Sequence, residues 1–127
     1  MSNTVDHPSH YQHPSGVEAI DICEHLGFNL GNAYKYLARA GKKGDRAEDL
    51  RKAAWYLRRD GERKRTAGRG GNVTRVPTDV QEMAHRVIMA GASGSALLLL
   101  LLAIRDGAIE APDCFTIAKE CDREAAS

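Results

Sequence analysis

Apolar residues recur along most of this chain at helical spacing, and the polar residues between them fall on stripes of their own. At about 100° per residue, Leu30, Ala33, Leu37 and Ala40 form one stripe, and Asn29, Asn32, Tyr36, Arg39 and Lys43 form another. One face packs and the other is free to bind. The pattern restarts after Gly41-Lys42-Lys43-Gly44, with Leu50, Ala53, Ala54 and Leu57 apolar and Asp49, Lys52, Tyr56 and Arg59 on a separate polar stripe. Two helices therefore bracket a Gly-Lys-Lys-Gly turn. The one before it runs from about Asn29 to Ala40 and stops at Gly41. The one after it opens at Asp45, with Glu48 at capping-box spacing, and runs to about Arg59.

Ahead of this pair, Ser15 and Glu18 have capping-box spacing and predict a short first helix through Val17, Ile20 and Cys23 that ends at Gly27. Beyond it, Pro77 suits a first helical turn, and Val80, Met83, Ala84, Val87 and Ile88 continue at helical spacing to the Gly91–Gly94 stop. A fifth helix covers about Ser95 to Arg105, and Pro112-Asp113 starts a sixth that fades after Cys121. No alternating strand pattern occurs. The predicted fold class is all-α, a small helical domain of about five to six helices. Residues 1–14, with two prolines and three histidines, read as an extended N-terminal arm. Residues 15–59 form a helical region bearing the polar faces, 60–76 a basic Gly-rich mobile linker with almost nothing to bury, and 77–127 a helical core and oligomerisation region.

A chain of 127 residues supports one modest core. Its net charge of +1 excludes a protein that is basic throughout. The charge is unevenly spread: residues 1–59 hold nine Lys/Arg against seven Asp/Glu, residues 60–76 five against two, and residues 77–127 four against eight. A basic front suits an anionic ligand, or head-to-tail contact with the acidic back of a second copy. Arg58, Arg59, Arg63, Lys64, Arg65 and Arg69 would be the phosphate-contacting tail of a nucleic-acid binder, a reading the acidic second half disfavours. Cys23, Cys114 and Cys121 form no Cys-x-x-Cys pair, which predicts a reduced, cytoplasmic protein. The apolar stretch Ala96–Ile104 falls far short of the roughly 20 residues of a membrane span and is expected to be a buried helix with a subunit interface as its home.

The candidate chemistry is anion binding. Asn32, Lys35, Tyr36, Arg39, Lys42 and Lys43 combine the planar fork of Arg and the point charge of Lys with directed amide and hydroxyl groups. The bland alternative for any single Lys is a solvated helix face. Asn and Tyr cost helix propensity, so their repetition in one short helix suggests positions chosen for contact. Trp55 and Tyr56, beside Arg51, Arg58 and Arg59, could stack a nucleobase or seal a small core, and for Trp55 core or interface is the favoured reading. Glu18, Asp21 and Asp49 are the acidic candidates for proton handling or for holding a ribose hydroxyl. His7, His10 and His13 recur every third residue, but the neighbouring prolines break the helix that would align them on a metal, and no metal set is assigned. His10-Tyr11 reads better as a contact to a ligand or to the helix below. No phosphate-binding loop, Gly-x-Ser-x-Gly elbow, His-Glu-x-x-His pair or protein-kinase signature is present.

The order His10-Tyr11, Gly16, Glu18 to Asp21, Gly31-Asn32-Ala33, Lys35-Tyr36, Arg39-Ala40-Gly41, Lys43, Asp49-Leu50, Lys52-Ala53 and Trp55-Tyr56-Leu57 resembles a family of small phage proteins. That family is typified by the early-gene nucleotide kinase of T-odd coliphages and is catalogued as a domain of unknown function. The resemblance covers about residues 7 to 58 and leaves the second half unmatched. It implies an oligomeric phage protein of the host cytoplasm that transfers a phosphoryl group to deoxynucleoside monophosphates. It makes residues 15–59 a nucleotide-binding region. Lys35, Arg39 and Asp49 become the catalytic candidates, and His10, Tyr11, Glu18, Asn32, Tyr36, Lys42, Lys43, Lys52 and Tyr56 the ligand-binding ones. Mg2+ would arrive with the nucleotide, and no protein-borne metal or cofactor is assigned. Because the second half departs from the best-known member, a non-catalytic alternative stands beside the kinase: an oligomeric sponge that sequesters a cyclic or modified nucleotide signal of host defence. Either reading expects several copies to assemble. Sedimentation at micromolar concentration should give a mass above the 13.9 kDa of one chain, and a 13.9 kDa species would overturn the assembly.

Overall fold

Asp45 opens the longest helix among the described residues, its carboxylate accepting from the amides of Ala47 (2.9 Å) and Glu48 (3.3 Å) that would otherwise lack partners. The computed structural model describes residues 13–68 and 71–127. Its elements run α1 (Ala19–Cys23), α2 (Phe28–Arg39), α3 (Arg46–Thr66), β1 (Val73–Arg75), α4 (Thr78–Ala90), α5 (Ser95–Asp106), β2 (Ala108–Glu110) and α6 (Ala111–Ala126). Gly41 and Gly44 both take positive φ, 83° and 74°, and reverse the chain between α2 and α3. The two helices lie antiparallel: Arg39 meets Asp49 beside the turn, and Phe28 at the far end meets Tyr56.

Helix α3 packs on α2 on one side and most extensively on α6 on the other, while α4 pairs with α5, and α5 also touches α6 and α2. One apolar cluster runs through all six helices of the described residues, from Val17 and Ile22 through Leu30, Leu37 and Leu57 to Leu100, Ile104 and Ile117. The predicted helical fold is therefore what forms, with one small addition. Strands β1 and β2 pair antiparallel with Val73 opposite Glu110 and Arg75 opposite Ala108. Three residues each are too short to show alternation in the sequence.

The expectations need four further corrections. Helix α1 is only five residues long and is capped by Glu18 with Asp21, whose carboxylate accepts from the Glu18 amide at 2.9 Å, and not by Ser15 with Glu18. Ser15 instead takes the Val17 amide on its hydroxyl. Helix α3 does not stop near Arg59 but runs to Thr66, because Asp60 and Lys64 are buried as an i, i+4 ion pair. Arg63 and the Cys114 thiol also donate to that carboxylate, and Lys64 donates to Thr74 Oγ1 at 2.7 Å. Helix α6 continues past Cys121 to Ala126. Finally, the leucine run is covered largely from within: Ala96, Leu97, Leu100, Leu101 and Ile104 are buried in the same chain, and Leu98 is 37% exposed. No helix among the described residues is long and apolar enough to cross a membrane.

Helix α5 starts at Gly94 without a side-chain cap of its own, and α6 supplies one. Glu124, 7% exposed, accepts from the amides of Ser95 (3.2 Å) and Ala96 (3.0 Å) and from Arg46 at the start of α3 (3.1 Å). Gly94 leaves room for this carboxylate, since a Cβ there would lie 2.5 Å from Glu124 Oε1 and make it shift. One turn earlier Glu120 holds the Ser95 hydroxyl and Arg123, whose hydrogen bonds bring its carboxyl down to about 2. Three helix ends thus meet on one buried carboxylate. Glu124→Ala should cost about 2 kcal/mol by urea unfolding, from the lost cap and charged hydrogen bonds. A variant within about 0.5 kcal/mol of the parent, the range of ordinary surface changes, would show that the junction does not depend on it.

Candidate functional site

The polar stripes of α2 and α3 come together on one face of the hairpin. On α2, Phe28, Asn32, Tyr36 and Arg39 succeed one another at i, i+4, i+8 and i+11; on α3, Asp49, Lys52 and Tyr56 do so at i, i+3 and i+7. Tyr36 and Tyr56 stack across the helix pair with centroids 6.0 Å apart and planes 13° from parallel. Phe28 meets Tyr56 edge-on at 6.0 Å, and Trp55 meets it at 5.1 Å and 88°. Lys35 Nζ lies 4.9 Å and Lys52 Nζ 5.4 Å from the Tyr36 ring centre, so both cations are drawn to this aromatic group.

Phe28 is 75% and Trp55 60% exposed, so two of the largest apolar side chains stand at the surface beside the cations. Of the two places expected for Trp55, core or interface, this exposure is at odds with the core. Exposed rings next to Lys and Arg make a platform on which a planar, anionic molecule can stack and be neutralised at once. The Lys52 ammonium is held above its ordinary range, first by its hydrogen bond to Glu48, 2.9 Å away, then by that carboxylate's charge. It stays cationic across the neutral range. Asn32 has spent its amide N–H on Phe28 O at 2.8 Å, which leaves its carbonyl oxygen for other contacts.

Arg39 and Asp49 close the turn end of this face. Their Nε and Oδ2 stand 3.5 Å apart, and each of these two atoms is buried with no hydrogen-bond partner. Asp49 is only 3% exposed and sits behind Arg39. Leaving a buried polar atom unsatisfied costs about 1–3 kcal/mol, more when it is charged. Chain folding alone does not relieve that cost.

The structure brings together Asn32, Lys35, Tyr36, Arg39, Asp49, Lys52 and Tyr56 among the sequence candidates. Others lie apart. Lys42 lines a separate cleft with His13, Tyr34 and Ala38, bounded by Val87 of α4 and Leu97 of α5. Lys43 is exposed on the turn, and Glu18 belongs to the capping box of α1. His10 and Tyr11 lie outside the described residues, as does His7, while His13 donates to Gly91 O at 3.0 Å, the ring's other nitrogen accepting the Ser15 amide. Tyr34 packs in the core, where burial raises its hydroxyl well above the usual range. Burial also pushes the thiols of Cys23, Cys114 and Cys121 up to about 12, which makes them poor nucleophiles. Phe28 was missed as a candidate, although its i, i+4, i+8 relation to Asn32 and Tyr36 is legible.

Residues 5–58 match the model of a family described as a protein of unknown function, DUF3310. The matched segment holds α1, α2 and the first part of α3, and so the whole aromatic and cationic face. The chain is also similar to the Gene 1.7 protein of Enterobacteria phage T3, 41% identical over 66 residues, which is 44% of this chain and 40% of that relative. It therefore spans well under two thirds of the phage protein's length. No solved structure matches the chain. The relative is a phage protein, and the match to the family model falls where the site geometry falls.

Because Phe28 and Trp55 are mostly solvated, truncating them should leave the fold nearly intact. Phe28→Ala and Trp55→Ala are each expected to cost about 1 kcal/mol or less in urea unfolding, whereas Tyr34→Ala, which empties a core position, should cost about 3–5 kcal/mol. Equal losses for all three would mean that the platform rings serve the core instead.

Proposed function

We propose that the α2–α3 face binds a deoxynucleoside monophosphate and that the protein is a phage nucleoside monophosphate kinase acting in the host cytoplasm. The observation that carries this is the aromatic group of exposed Phe28 and Trp55 around half-buried Tyr56, on the same face as Lys35, Lys52 and Arg39. A base stacks on the rings, worth about 1–3 kcal/mol per base, and the cations neutralise the phosphate. In the transfer itself an oxygen of the bound monophosphate attacks the terminal phosphorus of a nucleoside triphosphate. The new P–O bond forms as the bond to the leaving diphosphate breaks. Such a reaction depends on positioning and charge neutralisation more than on a protein nucleophile, so the cations suffice in kind. The match over residues 5–58 and the similarity to a phage protein support the reading.

A second reading is favoured by the burial of Asp49. The acid proposed for the chemistry, Asp49, is 3% exposed and turned in behind Arg39, away from the open face. A face that binds without turnover would be a sponge for a cyclic or modified nucleotide signal, assembled from several copies.

Incubation with the four deoxynucleoside monophosphates, a panel of cyclic and modified nucleotides and a triphosphate donor, with and without Mg2+, separates the two. The kinase reading expects diphosphate that grows with time and falls at least about tenfold, the equivalent of one charged contact, in Lys35→Ala and Arg39→Ala. Nucleotide depleted from solution and recovered unchanged on denaturation establishes the sponge. If no nucleotide is converted or retained, both readings fail.

A further inference from the structure

The half-satisfied pair at the turn end of the face says how a phosphate is received there. Arg39 is the last residue of α2 and Asp49 lies in the first turn of α3, so the Gly41–Gly44 reversal sets their separation. The Arg39 side chain is 30% exposed and that of Asp49 4%, which divides the guanidinium into an inner and an outer edge. Its Nε is buried and faces Asp49 Oδ2 at 3.5 Å, just beyond hydrogen-bond reach. Its Nη2 lies over Gly44, 3.7 Å from where a Cβ would stand. The inner edge is thus committed to the carboxylate. The two terminal nitrogens form the edge that remains.

We infer that Asp49 is a positioning residue that holds the Nε edge of Arg39 inward, so that the terminal nitrogens take two oxygens of the nucleotide's phosphate end-on. This rests on the nucleotide-binding reading above. Two parallel N–H···O bonds from a planar fork demand a fixed guanidinium plane, and a carboxylate anchored in α3 is what fixes it. The buried, unpartnered Nε and Oδ2 fit a contact that tightens when phosphate draws the guanidinium into its final plane. Lys35 and Lys52, resting near Tyr36, supply charge without that directionality. Asp49 acts through Arg39 and does not touch the substrate.

The test is equilibrium binding, followed by the fluorescence of Trp55, of the four deoxynucleoside monophosphates and the four matching deoxynucleosides. Asp49→Asn, nearly the same in shape, should weaken monophosphate binding about tenfold and leave nucleoside binding unchanged. A residue that merely held the fold would weaken both alike. In the Arg39→Ala background the Asp49→Asn change should cost nothing more, since the group it positions is gone. If Asp49→Asn does not fold, Arg39→Lys carries the test: it keeps the charge and loses the fork, and should show the same monophosphate-selective loss. Wild-type affinity for monophosphates in Asp49→Asn, or in Arg39→Lys, overturns the inference while the nucleotide reading stands. If the unaltered protein binds none of the four monophosphates, the nucleotide reading itself falls and takes the inference with it.

Discussion

The buried ion pair of Asp60 and Lys64 is the interaction on which the rest of this structure leans. It sits one to two turns from the end of α3, in a stretch of charges and glycine that would otherwise fray. Burying two charges is favourable only where further hydrogen bonds complete both groups. Arg63 and Cys114 complete the carboxylate, and Thr74 takes a proton of the ammonium. Those partners come from α3 itself, β1 and α6, so the pair ties three elements at one point. Gly61, one residue on from Asp60, lets the Phe115 ring of α6 come in where a Cβ would stand 2.8 Å from its edge. The result is a 21-residue helix whose early turns carry the aromatic face above a buried apolar stripe and whose late turns carry the buried ion pair.

That division explains how an open surface can still be precise. Tyr36 and Tyr56 are half-buried against the core, and exposed Phe28 and Trp55 are held against Tyr56 by ring contacts. Their positions are inherited from the apolar stripes beneath, Leu30, Ala33 and Leu37 on α2 and Leu50, Ala53 and Leu57 on α3, all buried. At the opposite end of the scaffold Glu124 joins the starts of α3 and α5 to the end of α6. The hairpin is thereby braced near its turn by one buried carboxylate and at the end of α3 by another.

The periodicity of the sequence carried the helices well, because most of them bury one clear stripe. It failed where burial depends on partners remote in the chain. Asp60, Gly61 and Lys64 read as part of a basic Gly-rich linker with almost nothing to bury, since nothing local shows that Phe115 and Thr74 will meet them. The exposure of Trp55 has a different reason: its hydrophobicity suggested a core or an interface, and its position three residues after Lys52 and four before Arg59 already places it on the polar side of α3. The site was legible in its cations and tyrosines. What could not be read was which lysines share a face, since Lys42 follows the Tyr34 and Ala38 row into another cleft, and that Asp49 would lie behind Arg39.

The match to the family model ends at residue 58, two residues short of Asp60. Up to that point the chain supplies the hairpin, its turn and the face. Everything that braces α3 from the far side, Lys64, Thr74, Cys114, Phe115 and Glu124, comes after it. A helix pair of this kind needs a second layer to bury its apolar stripes, but the physics asks only that the layer be apolar, of the right size, and able to finish the buried charges. The same hairpin and face can therefore rest on a different second layer. The aromatic and cationic face is a property of the first half of the chain, and the geometry in which it is held is a property of the whole.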